Sequence, residues 1–157
     1  MRGQGGGLPK WGLHTGAPGS MVGTPIDQMV AGSYLKGIRG YDVETMADAM
    51  IAHAGGWGME GDRSCMEEYL TLGYVAMDGD CDKSVSRTLE FAYNDFGVAQ
   101  LADALGRTAE AEALYEQSLS YENVWNDEHQ FFVGRAVDGS WAEDFDPTNF
   151  NCPDYCE

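Results

Sequence analysis

The stretch 84–105, SVSRTLEFAYNDFGVAQLADAL, constrains this chain most, because it is apolar on two sides at helical spacing. Val85, Leu89, Ala92, Phe96 and Ala99 line one face; Phe91, Val98, Ala102 and Leu105 line another. A helix apolar on two faces is buried between neighbours rather than lying on a surface. Gly106 follows as a residue suited to ending it. The chain must therefore supply other helices to enclose this one. Pro25 suits a first helical position and opens IDQMVAGSYLKG. Asp42 is a good N-cap for VETMADAMIAHA, which stops at Gly55 and Gly56. Ser64 and Glu67 have capping-box spacing before a short helix that Gly73 ends. Thr108 starts a further helix to about Asn123, with Ala111, Leu114, Tyr115, Leu119 and Val124 near its inner side. FFVGRAVDGSW then reads as a short strand and turn, EDFDPTNFNCPDYCE as an ordered loop, and the glycine-rich residues 1–24 as loop.

Helices joined by short glycine-marked turns, with no alternating strand pattern, indicate an all-α fold. LADALGRTAEAEALYEQSL is similar to the helix pair of a tetratricopeptide repeat, but nothing repeats it at a spacing of about 34 residues. A solenoid needs about three such units to bury a continuous core, so a single helical domain ranks above a tetratricopeptide-like interaction module.

The 157 residues make one domain's worth of chain, and 26 acidic against 9 basic residues give a net charge of −17. Such a surface repels phosphate backbones and anionic lipid headgroups, which argues against nucleic-acid and membrane-surface partners. It suits neutral substrates such as sugars, or metal cations, and it also keeps a protein soluble. No run approaches the roughly 18 to 20 apolar residues of a membrane span, and the N-terminus shows no apolar signal-peptide core. Cys65, Cys81, Cys152 and Cys156 form no paired zinc framework and are too few to define a disulfide scaffold. Cys152 and Cys156 are the pair suited to bridging in an oxidising compartment.

Asp78, Asp80, Asp82 and Ser84 alternate like the first ligands of an EF-hand loop. Lys83 stands where that loop needs glycine, and Leu89 where it needs a bidentate glutamate. A helix-capping acidic turn is the better reading, with metal binding as the alternative. The histidines are too scattered for a zinc motif, and His53 at a helix C-terminus complements the helix dipole. Asp144 and Asp146 read as a solvated acidic loop. No nucleophile elbow or nucleotide-binding glycine loop is present. Burial is the expected fate of Trp125.

Three blocks carry a resemblance. LPKWGLHTGAPGSMVGTPIDQMVAGSYLKGIRGYDVE, residues 8–44, resembles a family pattern of an LPxW stretch, a glycine loop and a helix ending in YxKGI. GYVAMDGDCDKSVSRTLEFAYNDFGVAQLADALG, residues 73–106, is similar to a SVSxTLEYAYDDW segment. In residues 131–157, GRAVDGSW and FDPTNF look like that family's approach to its active site. The family is glycoside hydrolase family 92, calcium-dependent α-mannosidases; GGWGMEGDRSCM departs from its pattern.

The resemblance implies an (α/α)6 barrel that follows a β-sandwich domain. Residues 1–157 would then be a fragment of the barrel, with the β-sandwich and the second half of the barrel missing. The implied activity is exo-hydrolysis of α-linked mannose from glycans with inversion. Glu157, at the family's Glu-Gly-Asn position, is the implied general acid. The base and the ligands of the Ca2+ ion lie outside the chain. Trp11, His14 and Trp141 are the candidate sugar contacts, and Asp78, Asp80 and Asp82 the alternative metal ligands. The full protein is expected to be secreted, periplasmic or at the cell surface. The fragment alone is expected to be inactive and poorly folded. Another helical-barrel glycosidase is the enzymatic alternative.

Overall fold

A computed structural model of the chain describes residues 22–56 and 63–148. Five α-helices carry it: α1 (Pro25–Leu35), α2 (Val43–Ala54), α3 (Met66–Leu72), α4 (Ser84–Ala104) and α5 (Thr108–Gln117). A 3-10 segment, Ser118–Val124, leads into a two-stranded antiparallel hairpin of β1 (Trp125–Asn126) and β2 (Phe131–Phe132). The chain is mostly helical, as its periodicity requires.

The local signals act where the sequence places them. Pro25 opens α1. The Asp42 carboxylate accepts from the Thr45 amide at 3.1 Å and from its hydroxyl at 2.7 Å, capping α2. Gly73 and Gly106 end α3 and α4 at φ +78° and +77°, a backbone region that costs an L side chain roughly 1–2 kcal/mol. α4 is the axis of the molecule, packing against α5, α1, the 3-10 segment and α2. Val30, Ala31, Ala47, Met50, Ala54, Val98, Ala99, Leu101 and Leu114 form the largest apolar cluster, drawn from α1, α2, α4 and α5. Beneath α3, Met66, Tyr69, Val75 and Phe91 form a second, and Tyr74, Ala76 and Val124 a third.

Several expectations are corrected. Residue 65, not Ser64, occupies the cap position of α3, in a left-handed conformation (φ 62°), and no side-chain cap forms. The Ser64 hydroxyl instead accepts a bond from Arg87 Nη1 at 2.8 Å. α5 stops at Gln117, because its last stretch tightens into 3-10 geometry. Phe96 and Tyr115 meet edge to face at 5.9 Å, but on the outside of the helix pair, and Leu119 is exposed beyond them. The apolar face they share is not covered by any other described element. Trp125 is 37% exposed rather than buried, because its indole N–H is drawn outward to Asp127 Oδ1 at 3.0 Å.

Candidate functional site

Two polar assemblies organise the molecule. The first is a buried charge cluster around Arg63. Asp27 on α1 and Asp95 on α4 are fully buried, and the Arg63 guanidinium lies between them. Arg63 Nη2 donates to Asp27 Oδ2 at 3.1 Å, Nη1 donates to Asp95 Oδ1, and Nε donates to Thr24 Oγ1 at 3.1 Å. The Thr24 hydroxyl donates to Asp27 Oδ2 at 2.5 Å. Asp95 Oδ2 also accepts from the Tyr69 hydroxyl at 2.9 Å and from Gln117 Nε2 at 2.8 Å. Asp27 of α1 and Asp95 of α4 thus flank one buried cation, and Tyr69 of α3 and Gln117 of α5 hold Asp95 in place.

The cluster contains two carboxylates and one guanidinium, so one negative charge is in excess. Asp95 has three donors, whereas Asp27 Oδ1 is buried with no hydrogen-bond partner. Burial pushes the Asp27 carboxyl above its ordinary range, against the opposing pull of Arg63. Burial raises the Asp95 carboxyl too, against Arg63, but Asp95 has more donors, so a proton that neutralises the cluster is better placed on Asp27. Burial beside Asp95 likewise raises the Tyr69 phenol, which stays a donor. His53 is buried at the end of α2, with Nδ1 unpartnered.

A pH dependence follows. The folded state holds the Asp27 proton more tightly than the unfolded chain does. The resulting stability is present below the ordinary aspartate value of 3.8 and is lost as pH rises through the raised folded value. Thermal melts between about pH 4 and pH 7 should therefore show a smaller slope for Asp27→Asn than for the natural protein. Equal slopes would assign the proton to another group.

The second assembly is the loop after β2. Arg135 Nη1 donates to the Asn123 carbonyl and Nε to the Gly139 carbonyl, both at 3.1 Å. Its guanidinium lies 5.2 Å from the Tyr74 ring centroid and 5.0 Å from that of Trp141. A bridge pairs Arg135 with Trp141, and the Tyr74 hydroxyl donates to the Ala136 carbonyl at 2.8 Å. The loop is therefore held rigidly against residues 74–78. Beyond it, Phe145 packs on His129 and Phe131 at 5.1 and 5.4 Å. Asp146 accepts from the Thr148 amide and hydroxyl, bonds that hold its carboxyl below the usual range.

Of the sugar candidates, Trp141 is half-buried with its ring against Arg135, close to Tyr74. Trp11, His14 and Glu157 lie outside the described residues, as do Cys152 and Cys156. In the acidic turn, Asp78 Oδ1 accepts the Val137 amide at 2.8 Å, and Asp82 pairs with Arg87 at 2.8 Å. The Asp80 amide donates to Glu68 Oε1 at 3.2 Å. Two of the three carboxylates are thus committed to protein partners. Among the described residues, no group of three or more His, Cys, Asp or Glu is placed to hold a metal ion. No helix among the described residues is long and apolar enough to cross a membrane.

Sequence reasoning missed the Arg63 cluster, Arg135 and a disulfide between Cys65 and Cys81. One signal was legible: Asp95 interrupts the apolar stripe of Phe91, Val98 and Ala102 at helical spacing.

The described chain is thus a helical scaffold that carries an arginine-braced aromatic loop. Residues 1–157 match the glycosyl hydrolase family 92 catalytic domain, and the chain belongs to that family. It is 31% identical to a family GH92 inverting mannosidase from Bacteroides thetaiotaomicron VPI-5482, with a TM-score of 0.84 over 92% of this chain and 20% of that one. A second family GH92 α-mannosidase from Bacteroides thetaiotaomicron matches at 31% identity and a TM-score of 0.86, over 96% of this chain and 20% of that one. An uncharacterized secreted glycosidase from Arthroderma benhamiae is 29% identical over 82% of this chain and 18% of its own length. The chain thus spans about a fifth of the length of these relatives.

Proposed function

We propose that this chain forms part of the catalytic domain of an inverting exo-α-mannosidase that removes terminal α-linked mannose from glycans. The observation that carries the reading is the family match over residues 1–157, joined to 31% identity with an inverting mannosidase. In the proposed architecture the five helices are one sector of an (α/α)6 barrel. The exposed apolar face of Phe96, Tyr115 and Leu119 supports it, because such a face needs a further helix to cover it.

An inverting glycosidase needs two carboxyl groups far enough apart to admit a water. Glu157 is the proposed acid, and the base lies in a part of the protein beyond this chain. Trp11, His14 and Trp141 are the proposed sugar contacts. The proposed calcium ion is held by residues outside this chain. The protein is proposed to act outside the cytoplasm, in keeping with the secreted glycosidase it resembles.

The test is stereochemical. The full-length protein is incubated with an α-linked mannobiose, and the first-formed product is followed by proton NMR. Inversion releases β-mannose, which then equilibrates with the α-anomer. Initial release of α-mannose, or preference for a different sugar, would refute the assignment. Residues 1–157 alone, lacking the second carboxylate, should give no turnover in the same assay.

A further inference from the structure

We propose that the Cys65–Cys81 disulfide acts as a lock that holds Arg63 in its buried charge site, so that this fold depends on an oxidising environment. Arg63 enters the core from a loop and not from a helix, since α3 begins only at Met66. Burying a guanidinium is expensive unless its partners are held in place. Cys65, two residues further on, is fixed in a left-handed backbone conformation and joined to Cys81, with 6.3 Å between their Cα atoms. Cys81 belongs to the turn that leads into α4, the helix that carries Asp95. The bond therefore ties the loop bearing the cation to the helix bearing its anion. Both cysteines pack on the cluster of Met66, Tyr69, Val75 and Phe91, and the Arg63 guanidinium lies 5.7 Å from the Phe91 ring.

A second tether reinforces the first. Ser64, between Arg63 and Cys65, accepts from Arg87 Nη1, while Arg87 Nε donates to the Asp82 carbonyl at 2.6 Å and Nη2 pairs with the Asp82 carboxylate. Residues 63–65 are thus strapped to residues 81–87 by one covalent bond and a set of polar ones. The charged and titratable groups of the site are Asp27 from α1, His53 from α2, Tyr69 from α3 and Asp95 from α4.

Closing the bond moves two electrons and two protons from the Cys65 and Cys81 thiols to a disulfide oxidant, which becomes two thiols. A phosphine reverses it, water supplying the oxygen that ends on phosphorus and the protons that end on sulfur. Without the bond, only polar contacts hold the loop, and whenever Arg63 leaves its site Asp95 is left buried without its cation. That penalty exists only while Asp95 is ionised, which separates the lock from an ordinary cross-link acting on chain entropy.

The experiment compares thermal transitions of the full-length protein, oxidised and phosphine-reduced, near pH 7.5 and near pH 4.5. The transition read is the one that Arg63→Met shifts. The lock predicts a gap between the two forms at least roughly twice as wide near pH 7.5 as near pH 4.5. The pair Cys65→Ser/Cys81→Ser should reproduce the reduced form. In an Arg63→Met background the gap should be equal at the two pH values. A gap independent of pH in the natural protein would overturn the proposal and leave the disulfide an entropic brace only.

Discussion

Arg63→Met should destabilise the helical domain by about 3–5 kcal/mol, the cost of leaving a buried charge without its partner. Methionine fills much of the same space, so a cavity contributes little and the loss is electrostatic. Asp95 keeps Tyr69 and Gln117 as donors but loses the cation, and Asp27 keeps only the Thr24 hydroxyl. The loss is read from denaturant-induced unfolding of the full-length protein. Adding Asp27→Asn and Asp95→Asn to the variant should recover a large part of it, since neutral amides need no counter-ion. A loss below about 1 kcal/mol would mean that water reaches the cluster and screens it.

The second large effect tests the proposed general acid, through Glu157→Gln in the full-length protein. A general acid contributes about 10²–10⁴-fold by protonating the leaving oxygen, and glutamine has no proton to give. Turnover of a mannobiose should fall by about that factor, while KM moves little and the alkaline limb of the pH profile disappears. A dinitrophenyl α-mannoside, whose leaving group departs without protonation, should be cleaved at a rate close to that of the natural enzyme. The contrast between the two substrates is the diagnostic. Equal losses on both would assign Glu157 another role.

The helical framework was legible because its signals are local. The two apolar faces of α4, the proline at the start of α1 and the capping aspartate of α2 each act within a turn or two of themselves. The reading failed where long-range partners decide. Arg63 sits in a glycine-rich stretch without periodicity, and nothing nearby in sequence announces that its charge is spent on Asp27 and Asp95. Four cysteines allow three pairings, and no local pattern in the sequence announces that residues 65 and 81 are brought together. Phe96, Tyr115 and Leu119 were assigned inward because period identifies an apolar face but not the neighbour that covers it. Trp141 was a candidate because of its flanking motif, whereas Arg135, which packs over its ring, carried no pattern of its own.

The charge cluster also sets an order of events during synthesis. Asp27 emerges from the ribosome 36 residues before Arg63, Arg63 precedes Asp95 by 32, and Gln117 follows Asp95 by 22. No piece of the chain that ends before Gln117 can complete the cluster, so its closure waits on contacts between residues far apart in sequence.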